Sequence, residues 1–357
     1  MSASTSWKRT SLSETLGIAI PIIQAPMAGV TTPELVAAVS NSGGLGSLGA
    51  GMHPPHRIAA DIAAIRRLTN SPFNVNLFVL DAPNVDADML HKAMERLQPI
   101  RKELGLPEAK APDRFCEDFP AQLEIVLEEQ PPVVSFTFGI VDRAVVDRLH
   151  QAGIRVIGTA THVAEARAWE SAGADAVCAQ GAEAGGHRGT FLGRSEDAMI
   201  GTFALVPQVV DAVRIPVIAA GGIMDGRGIA AALVLRAAGA QLGTAFLTST
   251  ESAIPSGWKE RLKVAAETDT RVTRLFSGRS ARGLVNEFME RLRASEHDVP
   301  DYPIQNALTG EIRSEAKKLG CLDYVSLWAG QGVPLVRSMS AAELIRRLSE
   351  ETRESLC

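Results

Sequence analysis

The segment Gln180-Gly-Ala-Glu-Ala-Gly-Gly-His187-Arg-Gly sets one imidazole among glycines. Glycines give a side chain little to pack against, so His187 is poorly accounted for as a core residue. An imidazole can donate a hydrogen bond, carry charge or take a proton near neutral pH. The plain alternative is a loop histidine bonded to backbone. Beside it, Glu183 is a helper carboxylate or, more simply, a loop or cap residue, and Arg188 is an anion-attracting group or a solvated surface arginine. Two apolar runs, PVIAAGG and AQLGTAFL, carry Gly221-Gly222 and Gly243-Thr244. Glycine lets backbone N–H groups approach phosphate oxygens with no Cβ between, and the Thr244 hydroxyl adds a donor. The simpler reading of Gly221 and Gly222 is a tight turn before a helix near Asp225. Asn76 and Gln180 are amides that match donors and acceptors on a flavin edge. Met27, next to Pro26, could lie against a ring face or fill core.

The elements that must position these residues alternate. Short Val/Ile-rich runs separate helical patterns, the mark of βα units and a parallel sheet. The runs are Ile18 to Gln24, GLGSLGA, FNVNLFVL, VVSFTFG, RVIGTA, DAVCAQG, PVIAAGG and AQLGTAFL. Eight strands with eight crossovers predict an α/β fold, a (β/α)8 TIM barrel. Its third βα segment is enlarged at about 81–131, and a helical cap lies at the C-terminal side. The barrel is expected over 12–250, and 251–357 is expected to supply the last barrel helix, a substrate-side cap and a C-terminal helix. In such barrels chemistry sits where the βα loops converge at the strands' carboxyl ends, and phosphate binding favours the last two loops. The side chains there are Ala25 to Ala28, Gly49 to Gly51, Asn76, Thr137 to Gly139, Thr159-Ala160, Gln180-Gly181, Gly221-Gly222 and Gly243-Thr244.

Other classes find little support. Gly44-Leu-Gly46-Ser-Leu-Gly49 matches G-x-G-x-x-G, but its glycines follow a helix and run into a strand, the reverse of a dinucleotide fingerprint. No H-E-x-x-H or G-x-S-x-G is present. The remaining histidines, among them His53 and His56 around Pro54-Pro55, read blandly, and no metal site is expected. The four cysteines form no C-x-x-C pair, which fits a reducing cytosol. The net charge of −5 without basic–aromatic blocks argues against nucleic acid. The N-terminal stretch MSASTSWKRTSLSETLG lacks the apolar region of a signal peptide, and no run has the length to span a bilayer.

Taken together, QAPMAGVTTPELVAAVSNSGGLG, NVNLF, SFTFG, CAQGAEAGGHRGTF, IAAGGIMDGRG, QLGTAFL and YPIQNALTG resemble the nitronate monooxygenases, in the branch with a histidine in the AGGH loop. The resemblance covers about residues 12 to 335. It implies a TIM barrel with non-covalent FMN, lined by Pro26, Met27 and Ala28. It implies that Asn76, Gln180 and Gly185 reach the isoalloxazine or ribityl part. Gly221, Gly222, Gln241, Leu242, Gly243 and Thr244 would hold the phosphate, and His187 would be the catalytic residue. The implied reaction is oxidative denitrification of an alkyl nitronate, such as propionate 3-nitronate, by O2 through one-electron transfer to flavin, giving a carbonyl compound and nitrite. His187 would anchor the nitronate oxygen or remove the α-proton of a neutral nitroalkane. An NAD(P)H-dependent quinone or enoyl reductase, a flavin-free phosphosugar isomerase or lyase, and a non-catalytic flavin-binding module are the alternatives. The expected partners are small molecules, and a homo-oligomer in the cytoplasm is compatible with them.

Overall fold

The structure is a computed structural model that describes residues 7–357, so the first residues of the N-terminal stretch lie outside it. Eight parallel strands form one sheet: β1 (Ile22–Gln24), β2 (Gly46–Gly49), β3 (Phe73–Phe78), β4 (Val133–Thr137), β5 (Arg155–Ala160), β6 (Ala176–Gln180), β8 (Val217–Ala220) and β9 (Gly239–Leu242). Between β6 and β8 lies the two-residue β7 (Gly186–His187). The order β1-β9-β8-β6-β5-β4-β3-β2 leaves β1 and β2 at the two ends. A parallel bridge between Ile23 and Leu45 joins them, with Leu45 N donating to Ile22 O at 3.0 Å and Gln24 N to Leu45 O at 3.0 Å. The fully buried Gln24 side chain accepts from Ser47 N at 2.9 Å, supplying the seam with a bond that the short β1 cannot make by ladder alone. The eight-stranded barrel expected from the alternating runs is therefore present.

The floor of the barrel is plugged from outside it. Thr10 and Ser13 form a reciprocal capping box that starts helix Ser11–Leu16, and the Thr10 hydroxyl donates to Ala238 O at 2.6 Å just before β9. Leu12 and Leu16 then enter a core inside the barrel with Ile23, Leu45, Val133, Ile157, Cys178 and Ile218. A second, larger core fills the space between strands and surrounding helices.

The enlarged third segment divides between two structures. Helix Phe119–Glu129, started by the Asp118 cap, packs on helix Pro55–Leu68 as part of the barrel's outer layer. Helix Ala87–Glu103 instead packs on Ile304–Leu308 and buries Leu97 and Ile100 in a separate cap core. That core includes Phe276 stacked on Phe288 at 4.3 Å, and it is built mostly from the segment after β9. There the antiparallel pair β10 (Thr270–Thr273) and β11 (Ala281–Leu284) extends the sheet begun by β7.

Two expectations change. AQLGTAFL is not all strand: β9 ends at Leu242 and Thr244–Leu247 is one buried helical turn, which a short apolar run cannot disclose by periodicity. The last barrel helix and the C-terminal helix are also one element. Helix Ala341–Leu356 packs against Gly226–Val234 and Pro33–Asn41, taking the eighth helical place in the outer layer after the cap has intervened.

Leu12 is fully buried at the floor. Leu12→Ala should lower unfolding free energy by about 2–5 kcal/mol through lost burial and a residual cavity. Denaturant unfolding checks this, and a change well under 1 kcal/mol would show that the helix 11–16 is not a structural plug.

Candidate functional site at the carboxyl rim of the barrel

The loop after β6 is held from two sides. Gln180 Nε2 donates to His187 O at 2.9 Å and its Oε1 accepts from Gly189 N at 2.8 Å, so this strand-end amide grips the loop that follows it. From the cap, β11 pairs with β7, placing Ala281 opposite His187, and Arg188 N donates to Ser280 O at 2.8 Å. Gly186 makes the turn that permits this with φ of 74°. Arg188 is neither surface-exposed nor available to an anion. It is fully buried and donates to the carbonyls of Gly181 (2.6 Å), Gln180 (3.0 Å) and Ala198 (3.1 Å), knitting the base of the loop. Glu183 is a cap: its carboxylate accepts from Thr202 N at 2.8 Å and from the Thr202 hydroxyl at 2.8 Å at the start of helix Thr202–Ala212.

The His187 ring stands among aromatics. Trp328, Phe138 and Tyr302 have ring centroids 5.3, 5.4 and 5.7 Å from it, all edge-on. Nε2 lies 2.8 Å from Ser277 Oγ. Burial, with Arg279 and Arg313 nearby, lowers its pKa from 6.5 to about 3, so the ring is neutral at physiological pH. Both arginines remain charged although burial brings each down to about 10. Arg279 Nε donates to Arg188 O at 3.0 Å, and the guanidinium lies 4.3 Å from the centre of the Phe138 ring. Arg313 donates to Asn306 O at 2.7 Å and Oδ1 at 2.9 Å. These acceptors are neutral, and among the described residues neither guanidinium has a carboxylate within ion-pair distance. The result is a site whose two guanidiniums make no direct ion pair, with Glu165 and Asp301 acting on Arg279 only from a distance, beside an uncharged imidazole. Burial also raises the Tyr302 pKa, keeping its hydroxyl protonated.

Around this ring the carboxyl ends of the strands are not filled. Pro26, Met27, Ala28, Thr137, Thr159, Gln180, Gly185, Gly221, Gln241 and Gly243 all keep part of their surface, in contrast to the buried residues just below them. Gly221 and Gly222, at φ of 115° and 70°, adopt backbone that side chains rarely tolerate. A groove of about 380 Å³ beside them runs between helices Thr202–Ala212 and Gly226–Val234, and its wall is mostly apolar, with Phe203, Val206, Ile223, Ala231 and Leu235. The cap segment crosses here: Gly330 N donates to Thr244 Oγ1 at 2.9 Å, leaving the Thr244 hydroxyl hydrogen free. A Cβ on Gly185 would lie 2.5 Å from Ala329 C, so that glycine serves the close crossing of loop and cap. Leu242 is buried and offers only its backbone. Asn76 is buried in the barrel wall, its Nδ2 donating to Ser135 Oγ at 3.0 Å and Thr137 Oγ1 at 3.2 Å; its carbonyl oxygen is the end left for another group.

The structure thus brings the strand-end residues to one rim with His187. The sequence reading assigned no role to Tyr302, Trp328, Ser277, Arg279 or Arg313, which arrive from the cap. Phe138 lay in a strand-end stretch, and its φ of 78° marks a conformation that a bulky residue rarely adopts. The bland histidines stay bland: His53 pairs with Asp61 at 3.0 Å and His162 bonds Leu192 O at 3.0 Å.

Known proteins resemble this chain along nearly its whole length. Residues 9–351 match the family described as nitronate monooxygenase. A probable nitronate monooxygenase of Staphylococcus aureus (strain JH9) is 45% identical over 349 residues, 98% of each chain. A nitroalkane oxidase from Streptomyces ansochromogenes is similar in structure, with TM-score 0.90 and 42% identity over 97% of this chain and 99% of that one. FabK from Thermotoga maritima follows at TM-score 0.77 and 32% identity, covering 98% and 97%. No helix among the described residues is long and apolar enough to cross a membrane.

The lowered His187 pKa fixes a pH dependence. The unfolded chain binds this proton below about 6.5 and the folded chain only near 3, so stability falls as pH drops through that window. In an NMR titration of the substrate-free protein, His187 should stay neutral from about pH 8 to pH 5. A midpoint near the ordinary imidazole value would show that the ring is not desolvated as described.

Proposed function

Because the chain belongs to the nitronate monooxygenase family, we propose that it catalyses FMN-dependent oxidative denitrification of alkyl nitronates by O2, giving a carbonyl compound and nitrite. The observation that carries this reading is the neutral His187 imidazole held beside two guanidiniums without carboxylate partners, at the partly open carboxyl rim of the barrel.

The residues present fit FMN. Gly221 and Gly222 follow β8 in positive-φ backbone, where their N–H groups would meet a phosphate with no side chain between. A Cβ added at Gly243 would meet nothing closer than Ala25 Cβ at 3.4 Å, so space remains over β9. Gly221, Gly222, Gln241, Gly243 and Thr244 would hold the phosphate end. Pro26, Met27 and Ala28, with Asn76 and Gly185, would border the ring, and Leu242 would contribute backbone only. Gln180 acts on this site through the His187 loop as well as by proximity. FMN, when bound, supplies the electron transfer between nitronate and O2.

The protein's own groups bind and prepare the substrate. Arg279 and Arg313 attract an anion, and because both are partly buried their field is less screened than in bulk water. A neutral nitroalkane meets the uncharged imidazole as a base; the proton it gives up turns His187 into the cation that then faces the nitronate oxygens. A nitronate supplied ready-made needs only the second role. Tyr302 and Trp328 shape the pocket and keep water from the ring.

His187→Asn should lower turnover of a neutral nitroalkane by about 10²- to 10⁴-fold while the protein stays yellow. Nitrite release and flavin absorbance read the two effects, and unchanged turnover would remove the histidine from the reaction. Gly222→Val, at φ of 70°, should instead weaken flavin retention, seen as free FMN after gel filtration. Rapid bleaching by NADH or NADPH without air, with no nitrite formed aerobically, would select the reductase alternative.

A further inference from the structure

The surroundings of His187 decide which of its two nitrogens can react. Ser277 Oγ lies 2.8 Å from His187 Nε2 and 3.1 Å from Arg279 O. A carbonyl only accepts, and Arg279 O has no other donor among the described residues, so the single hydroxyl hydrogen is committed to it. The lone pairs of Oγ then face Nε2 and, at 3.4 Å, Arg279 N. In that arrangement, which satisfies both contacts of Oγ, Nε2 donates. A neutral imidazole carries one N–H, which leaves Nδ1 bare. Among the described residues Nδ1 has no hydrogen-bond partner, and the ring keeps part of its surface.

Ser277 is not free to choose another arrangement. It is buried, its N donates to Arg274 O at 3.2 Å, and the preceding carbonyls of Leu275 and Phe276 accept from Gln305 Nε2 and the Thr309 hydroxyl. Gly278 follows at φ of 82°, where a Cβ would lie 2.1 Å from Pro300 O, so this turn can close only with glycine at that position.

We propose that Ser277 is a positioning residue that holds His187 as the Nε2–H tautomer and presents Nδ1 as the nitrogen that takes the substrate's α-proton. This rests on the reading of His187 as a base. In the step, the C–H bond breaks, its electron pair passes into the nitro group to give the nitronate, and the proton forms a new N–H bond at Nδ1. Nε2–H stays on Ser277 throughout. Arg279 and Arg313 oppose the resulting imidazolium until the nitronate anion lies beside it, so proton transfer and anion binding are coupled.

The test uses the flavin-loaded protein with 15N-labelled histidine. The wild-type ring should show a protonated Nε2 and a bare Nδ1 for His187. Ser277→Ala should produce a tautomer mixture and lower kcat/KM for a neutral nitroalkane by about 10-fold or more, while activity on the corresponding preformed nitronate changes far less. Ser277→Thr, which keeps the hydroxyl, should restore most of the loss. A wild-type ring protonated at Nδ1 overturns the proposal even if the variants fail to fold, and so does an unchanged nitroalkane-to-nitronate ratio in Ser277→Ala. If His187→Asn alone keeps full nitroalkane activity, the base reading fails instead, a result separable from the tautomer seen by NMR.

Discussion

A short loop gripped from both sides is the constraint on which the rim depends. The His187 segment hangs from β6, but three of its backbone contacts come from the cap: the β7–β11 pairing, Arg188 N to Ser280 O, and Arg279 to Arg188 O. Gln180 supplies the opposing grip from the barrel. A glycine-rich chain would otherwise carry high conformational entropy, and an imidazole on it would wander. Held this way, the ring stays within reach of the strand ends, and its position depends on barrel and cap being docked together.

Electrostatics follow from that docking. Four arginines, Arg188, Arg279, Arg282 and Arg313, lie in or near the seam, and their hydrogen bonds go to neutral oxygens. Buried cations without counter-ions are costly unless something anionic joins them. Arg188 is compensated by three carbonyls at the root of the loop. Burial first, and then Arg279 and Arg313, depress the proton affinity of the imidazole, so the site presents a neutral base within a positive field. That combination favours a reaction converting a neutral carbon acid to an anion.

The sequence makes the barrel legible because its strands are apolar runs bounded by glycine and its helices carry plain caps such as Thr32 with Pro33 and Asp225. The isolated histidine is legible for the same reason, its neighbours being glycines. What surrounds it is not. Phe138, Ser277, Arg279, Tyr302 and Trp328 are spread over some two hundred residues, and only the cap's topology makes them neighbours. A two-residue strand such as β7 has no period to detect. Arg188 could not be placed because its partners are backbone carbonyls at Gln180-Gly181 and Ala198, and backbone acceptors leave no trace in residue identity. The turn Thr244–Leu247 shows the same limit in reverse, since four apolar residues fit strand and helix alike.

The late arrival of helix 341–356 bears on how the chain assembles. Glu351 accepts from Gly226 N at 3.0 Å and pairs with Arg337, while Leu344, Ile345 and Leu348 are buried in the outer layer. The barrel wall therefore has a missing stave until everything from residue 251 to 340 has been made. During synthesis the flank between Pro33–Asn41 and Gly226–Val234 stays bare, and a nascent chain has an apolar face open to chaperones or to neighbouring chains until helix 341–356 seals it. Vectorial folding from the N-terminus thus stops one step short, and barrel and cap reach completion together.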